Sequence, residues 1–87
     1  MASITLPATF NELQVVVNMG DYLYAFSFYL CKATMVNNQV YRQGFFVASS
    51  DMARAHFKYT SSDNKITMTD AQVASINTPY TLQIAYR

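Results

Sequence analysis

"MARAHFKYT", Met52–Thr60, decides the fold. Ala53, Ala55, Phe57 and Tyr59 take every second position, and Met52, Arg54, His56 and Lys58 fill the places between. Successive side chains of a strand point to opposite faces, so this order describes a β-strand with one face in a core and the other in water. A helical period would scatter the four apolar residues around the axis.

The same period runs outward in both directions. Upstream, "YLYAFSFYL" (residues 22–30) sets Tyr22, Tyr24, Phe26, Phe28 and Leu30 on one face and Leu23, Ala25, Ser27 and Tyr29 on the other. The first face is expected inside, with Phe26, Phe28 and Leu30 as core. Before it, residues 10–18 place Leu13, Val15 and Val17 opposite Glu12, Gln14, Val16 and Asn18. "MGD" at 19–21 joins the two as a tight turn, with Gly20 free to adopt positive φ. Residues 31–38 read as a looser connection with one helical turn. Residues 39–49 form the next strand, where Gly44 marks a bulge or a close approach of backbones. "SSD" (49–51) and "SSDN" (61–64) are turns. "KITMTD" (65–70) brings Ile66 and Met68 to one side, residues 71–79 read as a loop, and "YTLQIAYR" (80–87) aligns Tyr80, Leu82, Ile84 and Tyr86. With the short "SITL" at 3–6, stopped by Pro7, this makes about seven strands joined by short turns. The expected fold is all-β, a compact antiparallel β-sandwich, as a single domain over residues 1–87.

A chain of 87 residues has a thin core, burying roughly 60–65% of the surface its unfolded form exposes. The usual reinforcements are missing. Cys31 is the only cysteine and closes no intramolecular disulfide, and no Cys/His set suits structural zinc. Charged residues are 13% of the chain, about half the usual share of roughly 25%. So little charge on so small a domain implies that part of its surface is covered, by another subunit, a neighbouring domain or a ligand. The net charge of +1 offers no general attraction for nucleic acid or acidic membrane. No run approaches the roughly 20 apolar residues of a membrane helix, and no signal peptide opens the chain. The lone thiol fits assembly in the cytoplasm.

No residue pattern announces a reaction, and the chain is read as a non-enzyme without cofactor. His56 is the only histidine, which excludes a multi-histidine metal site. A Ser-His-Asp set can be written with Asp51 or Asp70, but no GxSxG-type turn accompanies it. Glu12, Asp21, Asp51, Asp63 and Asp70 mostly fall at expected turns or strand ends, where carboxylates serve local backbone amides. They lack the spacing of a calcium loop, and nothing pairs two of them for glycoside hydrolysis. Cys31 beside Lys32 makes a lowered thiol pKa conceivable, but a small buried apolar residue is the commoner role of cysteine.

The outward face of Met52–Thr60 is more informative. Arg54, His56 and Lys58 form a basic stripe, and Arg42 and Phe46 join it if residues 39–49 pair with it as a hairpin. These five are the candidate ligand-binding residues: arginine beside an aromatic ring suits acidic sugars, sulfate or carboxylate groups, or a subunit interface. The alternative is an ordinary charged edge that discourages aggregation between sheets. The seven tyrosines are a second pool, and two or three at one rim would make a receptor surface.

"ITLPATFNELQVVV" (residues 4–17), "YRQGFFVASS" (41–50) and the terminal "LQIAYR" (82–87) resemble the carboxyl-terminal module of structural proteins from phages and prophages of gut bacteria, chiefly tail fibres and related tail or baseplate components. The resemblance implies a β-sandwich tip, often homotrimeric, that engages a bacterial surface glycan or protein or ends a fibre, in a virion assembled in the bacterial cytoplasm. It brings no catalytic residue and no residue-level binding site. It does not extend to "NKITMTD" and "AQVASINTP" (64–79), so it implies no specific receptor. The expected function is receptor attachment at a fibre tip; the alternative is a purely structural virion component, such as a decoration or tail assembly protein.

Overall fold

A computed structural model describes residues 2–20, 24–47 and 51–87. Asp21, Tyr22 and Leu23, which the sequence assigns to a turn and to the aromatic stretch, lie outside the described residues, as do residues 48–50, from the end of the expected strand at 39–49 and the expected turn at 49–51.

Among the described residues there are eight strands: β1 (Ser3–Thr5), β2 (Glu12–Met19), β3 (Tyr24–Cys31), β4 (Val40–Phe46), β5 (Met52–Thr60), β6 (Lys65–Val73), β7 (Ile76–Asn77) and β8 (Tyr80–Tyr86). A 3-10 turn, Lys32–Thr34, sits in the expected loose connection. All pairings are antiparallel. Sheet A runs β1-β6-β5-β4, with β7 also on β6; sheet B runs β3-β2-β8. The all-β sandwich is therefore the fold.

The two sheets meet on the faces that alternation assigns. Leu13, Val15 and Val17 from β2, Phe26 and Phe28 from β3, Ala53, Ala55, Phe57 and Tyr59 from β5, and Ile66 and Met68 from β6 are all buried in one cluster. Leu6, Phe10 and Met19 complete it, and Leu30 is half-buried at its margin. Phe57 is the hub. Its ring meets Phe28 edge-on at 4.8 Å from the opposite sheet and stacks on Tyr41 at 5.3 Å within its own. Two alanines on the inner face of β5 leave room for these rings, the alternation of large and small side chains that lets a thin core close-pack.

The structure corrects the sequence reading at three places. Residues 71–79 are not a loop: β6 continues to Val73, a two-residue turn follows at Ala74 and Ser75, and β7 folds back with Val73 opposite Ile76. Of the strand expected at residues 39–49, the described part is strand from Val40 to Phe46, with Gln39 and Val47 outside it. Gly44 marks no bulge, since β4 and β5 pair in unbroken register from Val40–Lys58 to Phe46–Met52. It marks the close approach instead: a Cβ there would stand 3.1 Å from Met52 Sδ and 3.2 Å from the Ala53 carbonyl oxygen.

The bulge is on β6. Phe57 faces Met68 and His56 faces Asp70, so Thr69 is an extra residue with no partner on β5. An inserted residue shifts the phase of alternation by one. Without it, Asp70 would follow Ile66 and Met68 into the core. With it, Asp70 and Gln72 emerge on the outer face. Gly20 turns with φ 62°, as expected.

Candidate functional site

The hairpin register brings the five sequence candidates onto one surface. Gly44–Arg54, Arg42–His56, Val40–Lys58 and Phe46–Met52 are cross-strand pairs, and each pair lies on the side away from the core residues Ala53, Ala55, Phe57 and Tyr59. Arg42, Phe46, Arg54, His56 and Lys58 thus share the outer face of sheet A. An open recess of about 280 Å³ is lined by Arg42, Gln43, Gly44, Met52, Arg54 and His56; the missing side chain at Gly44 gives it depth. Phe46 stands at one end, 70% exposed. Lys58, paired with Thr67 on its other side, lies beyond the lining.

Sequence reasoning missed two members of this face, Asp70 and Gln72. Asp70 was expected at a strand end in a local capping role; it lies inside β6, delivered there by the Thr69 bulge. Its Oδ2 is 3.1 Å from Arg54 Nε and 3.6 Å from His56 Nδ1. Arg54 also donates from Nη2 to Gln72 Oε1, and Gln72 donates to Asn77 Oδ1 at 2.9 Å. Arg54 Nε itself is fully covered and lies off the line of a hydrogen bond to Asp70, so the contact is ionic. Part-burial, the largest influence, lowers the His56 pKa below its ordinary value; Asp70 opposes this, while Arg42 and Arg54 add to it. The neutral form of His56 is thereby favoured, and the fixed positive charge of the face comes from the arginines and Lys58. Arg42, unlike Arg54, is exposed and makes no hydrogen bond or ion pair among the described residues. This arrangement suits a carboxylate or sulfate group presented to Arg42, with Phe46 as an apolar neighbour.

A second polar cluster lies at the far end of sheet B. Arg87 Nε meets Glu12 Oε2 at 2.5 Å, Arg87 Nη2 donates to Tyr29 Oη at 3.4 Å, and Tyr29 Oη donates to Glu12 at 3.3 Å. The Arg87 hydrogen bond holds the Glu12 carboxyl below its ordinary range, and Glu12 in return raises Arg87. Tyr29 and Tyr86, 61% and 53% exposed, border a recess of about 260 Å³ with Gln14 and Ala85. No protein-family model, curated protein or solved structure matches the chain.

Other chemistries find little footing. His56 is on sheet A and Cys31 is exposed at the end of β3 in sheet B, so the two do not form a nucleophile pair. No serine hydrogen-bonds His56 among the described residues, and no three His, Cys, Asp or Glu side chains gather there for a metal. Among the described residues no helix is long and apolar enough to cross a membrane.

Proposed function

We propose that this chain is a non-enzymatic binding and assembly module of the kind that ends a phage or prophage tail fibre, and that it attaches to an acidic group of a bacterial surface carbohydrate. One observation carries the reading: Arg42, exposed and uncommitted, projects from the outer face of sheet A beside His56 and Arg54, over a recess opened by Gly44. A planar guanidinium without an internal partner is suited to bidentate binding of carboxylate or sulfate. The module works in the virion and self-associates, a reading that the low charge and thin core support; the resemblance implies three-fold symmetry for that assembly.

The test is a glycan array containing uronic, sialic and sulfated sugars. Binding to acidic members, lost on Arg42→Ala and on the Arg54→Ala/His56→Ala pair, is the expected result. Binding unchanged in both variants would remove the site.

A purely structural virion component is the second reading. It is favoured by the way Asp70 and Gln72 already occupy Arg54 within the sheet. A tight oligomer that binds no glycan would select it.

A further inference from the structure

β8 is a free edge of sheet B. It pairs only with β2, and no other backbone hydrogen bond reaches it from its outer side among the described residues. The orientation of its free groups follows from its last pair. Glu12 and Arg87 exchange both backbone bonds, N–H to carbonyl in each direction. In an antiparallel pair such residues alternate with residues whose N–H and C=O point away. Counting back along the register, Tyr86, Ile84, Leu82 and Tyr80 turn their backbone groups outward.

The other edges are blunted. β1 has three residues and ends before Pro7, and β7 has two. β4 carries the charge of Arg42. β3 is capped in the middle, where Gln43 Nε2 donates to the Ser27 carbonyl at 2.8 Å. β8 has seven residues, "YTLQIAY", with no charge, proline, glycine or bulge. Natural sheets rarely leave such an edge unpaired.

We infer that β8 pairs antiparallel with β8 of a second copy of this chain, across a two-fold axis at Gln83, to make a continuous six-stranded sheet. The register is dictated by the free groups. With Gln83 opposite its own copy, Leu82 faces the partner's Ile84 and Tyr80 faces the partner's Tyr86. All four outward-turned residues are then hydrogen-bonded, in pairs drawn wholly from that set. The side chains match as well. Leu82, Ile84 and Tyr80 are only half-buried and Tyr86 is 53% exposed, and this register sets aromatic against aromatic and aliphatic against aliphatic on the inner face. The occupant is a second copy rather than a foreign strand because the segment complements itself about its own midpoint, the condition for an isologous contact. The contact does not rest on the receptor reading. It yields an even-numbered assembly in place of the three-fold one that the resemblance implies.

Gln83 and its copy would form a pair without mutual backbone bonds, the closest kind, with Cα atoms about 4.5 Å apart. That separation admits a disulfide. Thr81 would lie about 14 Å from its own copy, four residues of ~3.4 Å along the strand. The experiment therefore compares Gln83→Cys with Thr81→Cys, each in a Cys31→Ser background, under mild oxidation. The expected result is a covalent dimer for Gln83→Cys and none for Thr81→Cys. Equal cross-linking of the two, or none by Gln83→Cys, would overturn the register. Light scattering supplies a second arm: Gln83→Lys and Gln83→Glu should each run at half the mass of the unmodified protein, and their mixture should recover the full mass. A monomeric unmodified protein at millimolar concentration, or no recovery on mixing, would overturn the pairing altogether.

Discussion

His56 and Asp70 stand opposite one another on the outer face of sheet A because Thr69, the residue between Met68 and Asp70, has no partner on β5. One additional residue turns an aspartate out of the core and sets it between Arg54 and His56. Deleting Thr69 should reverse this, driving Asp70 inward where nothing balances its charge. The deletion variant is expected to be unfolded or grossly destabilised by circular dichroism, whereas Thr69→Ala, which keeps the count, should fold.

Arg54 and Arg42 should differ sharply in what they contribute to stability. Arg42 has no internal partner, so Arg42→Ala should leave the melting midpoint almost unchanged, within about 0.5 kcal/mol. Asp70→Ala strips the covered Arg54 Nε of its counter-ion and should cost about 1–3 kcal/mol. Denaturant titration of the two variants measures the contrast.

Acid acts through His56. Its pKa is lower in the folded chain than the unfolded value of about 6.5, with burial as the main cause. Below about 6.5 the unfolded chain therefore binds the proton first, and ∂ΔG/∂pH is positive there. Stability should be full above pH 6.5 and fall as the pH drops towards the folded pKa. His56→Gln should flatten that slope. Glu12, held low by Arg87, contributes stability above its unfolded pKa that is lost at still lower pH, so a second decline should survive in the His56 variant and vanish in Glu12→Gln. Urea melts at half-unit intervals from pH 3 to 8 would resolve both.

Gly44 is held by space. Its added Cβ would press on a backbone oxygen, the Ala53 carbonyl at 3.2 Å, as well as on the flexible Met52 side chain. Gly44→Val should cost about 1–3 kcal/mol by overpacking, with only part of the loss regained when Met52 is also shortened to alanine. It should also fill the recess and abolish any binding by Arg42.

The β6–β7 turn holds latent stability. Ala74 and Ser75 both have positive φ, 53° and 66°, as the two central residues of a type I′ turn do. An L-residue with a side chain in that region costs roughly 1–2 kcal/mol. Ala74→Asn with Ser75→Gly should therefore raise the melting midpoint, with the outer face of sheet A unaltered.

The same turn shows where the sequence is legible and where it is not. β2 and β5 are written plainly, because Leu13, Val15, Val17 and Ala53, Ala55, Phe57, Tyr59 recur at every second position and are buried as that pattern demands. The hairpin register followed from the short link, and it placed Arg42 and Phe46 with Arg54, His56 and Lys58. Past Met68 the signal fails for two physical reasons. The Thr69 bulge breaks the alternation, so Asp70–Val73 no longer looks like a strand continuing from Ile66. The turn that follows uses alanine and serine where asparagine and glycine would have announced it. Asp70 and Gln72 were lost from the predicted face for the same reason. The Glu12–Arg87–Tyr29 cluster joins residues up to 75 positions apart, which only the pairing of β2 with β3 and β8 brings together.

The long sides of the molecule are closed unequally. Where β4 crosses β3, Phe45 lies 5.2 Å from Phe26 and 5.9 Å from Tyr24, and Gln43 is bonded to the Ser27 carbonyl. Where β1 approaches β8, the only polar link among the described residues is the Ala2 amide to the Tyr80 hydroxyl at 3.3 Å. The two leaves are bound like a book, with a spine along β3 and β4 and a fore-edge along β8. The fore-edge offers the least resistance to opening, so a strand settled against β8 would act as a clasp on the whole volume.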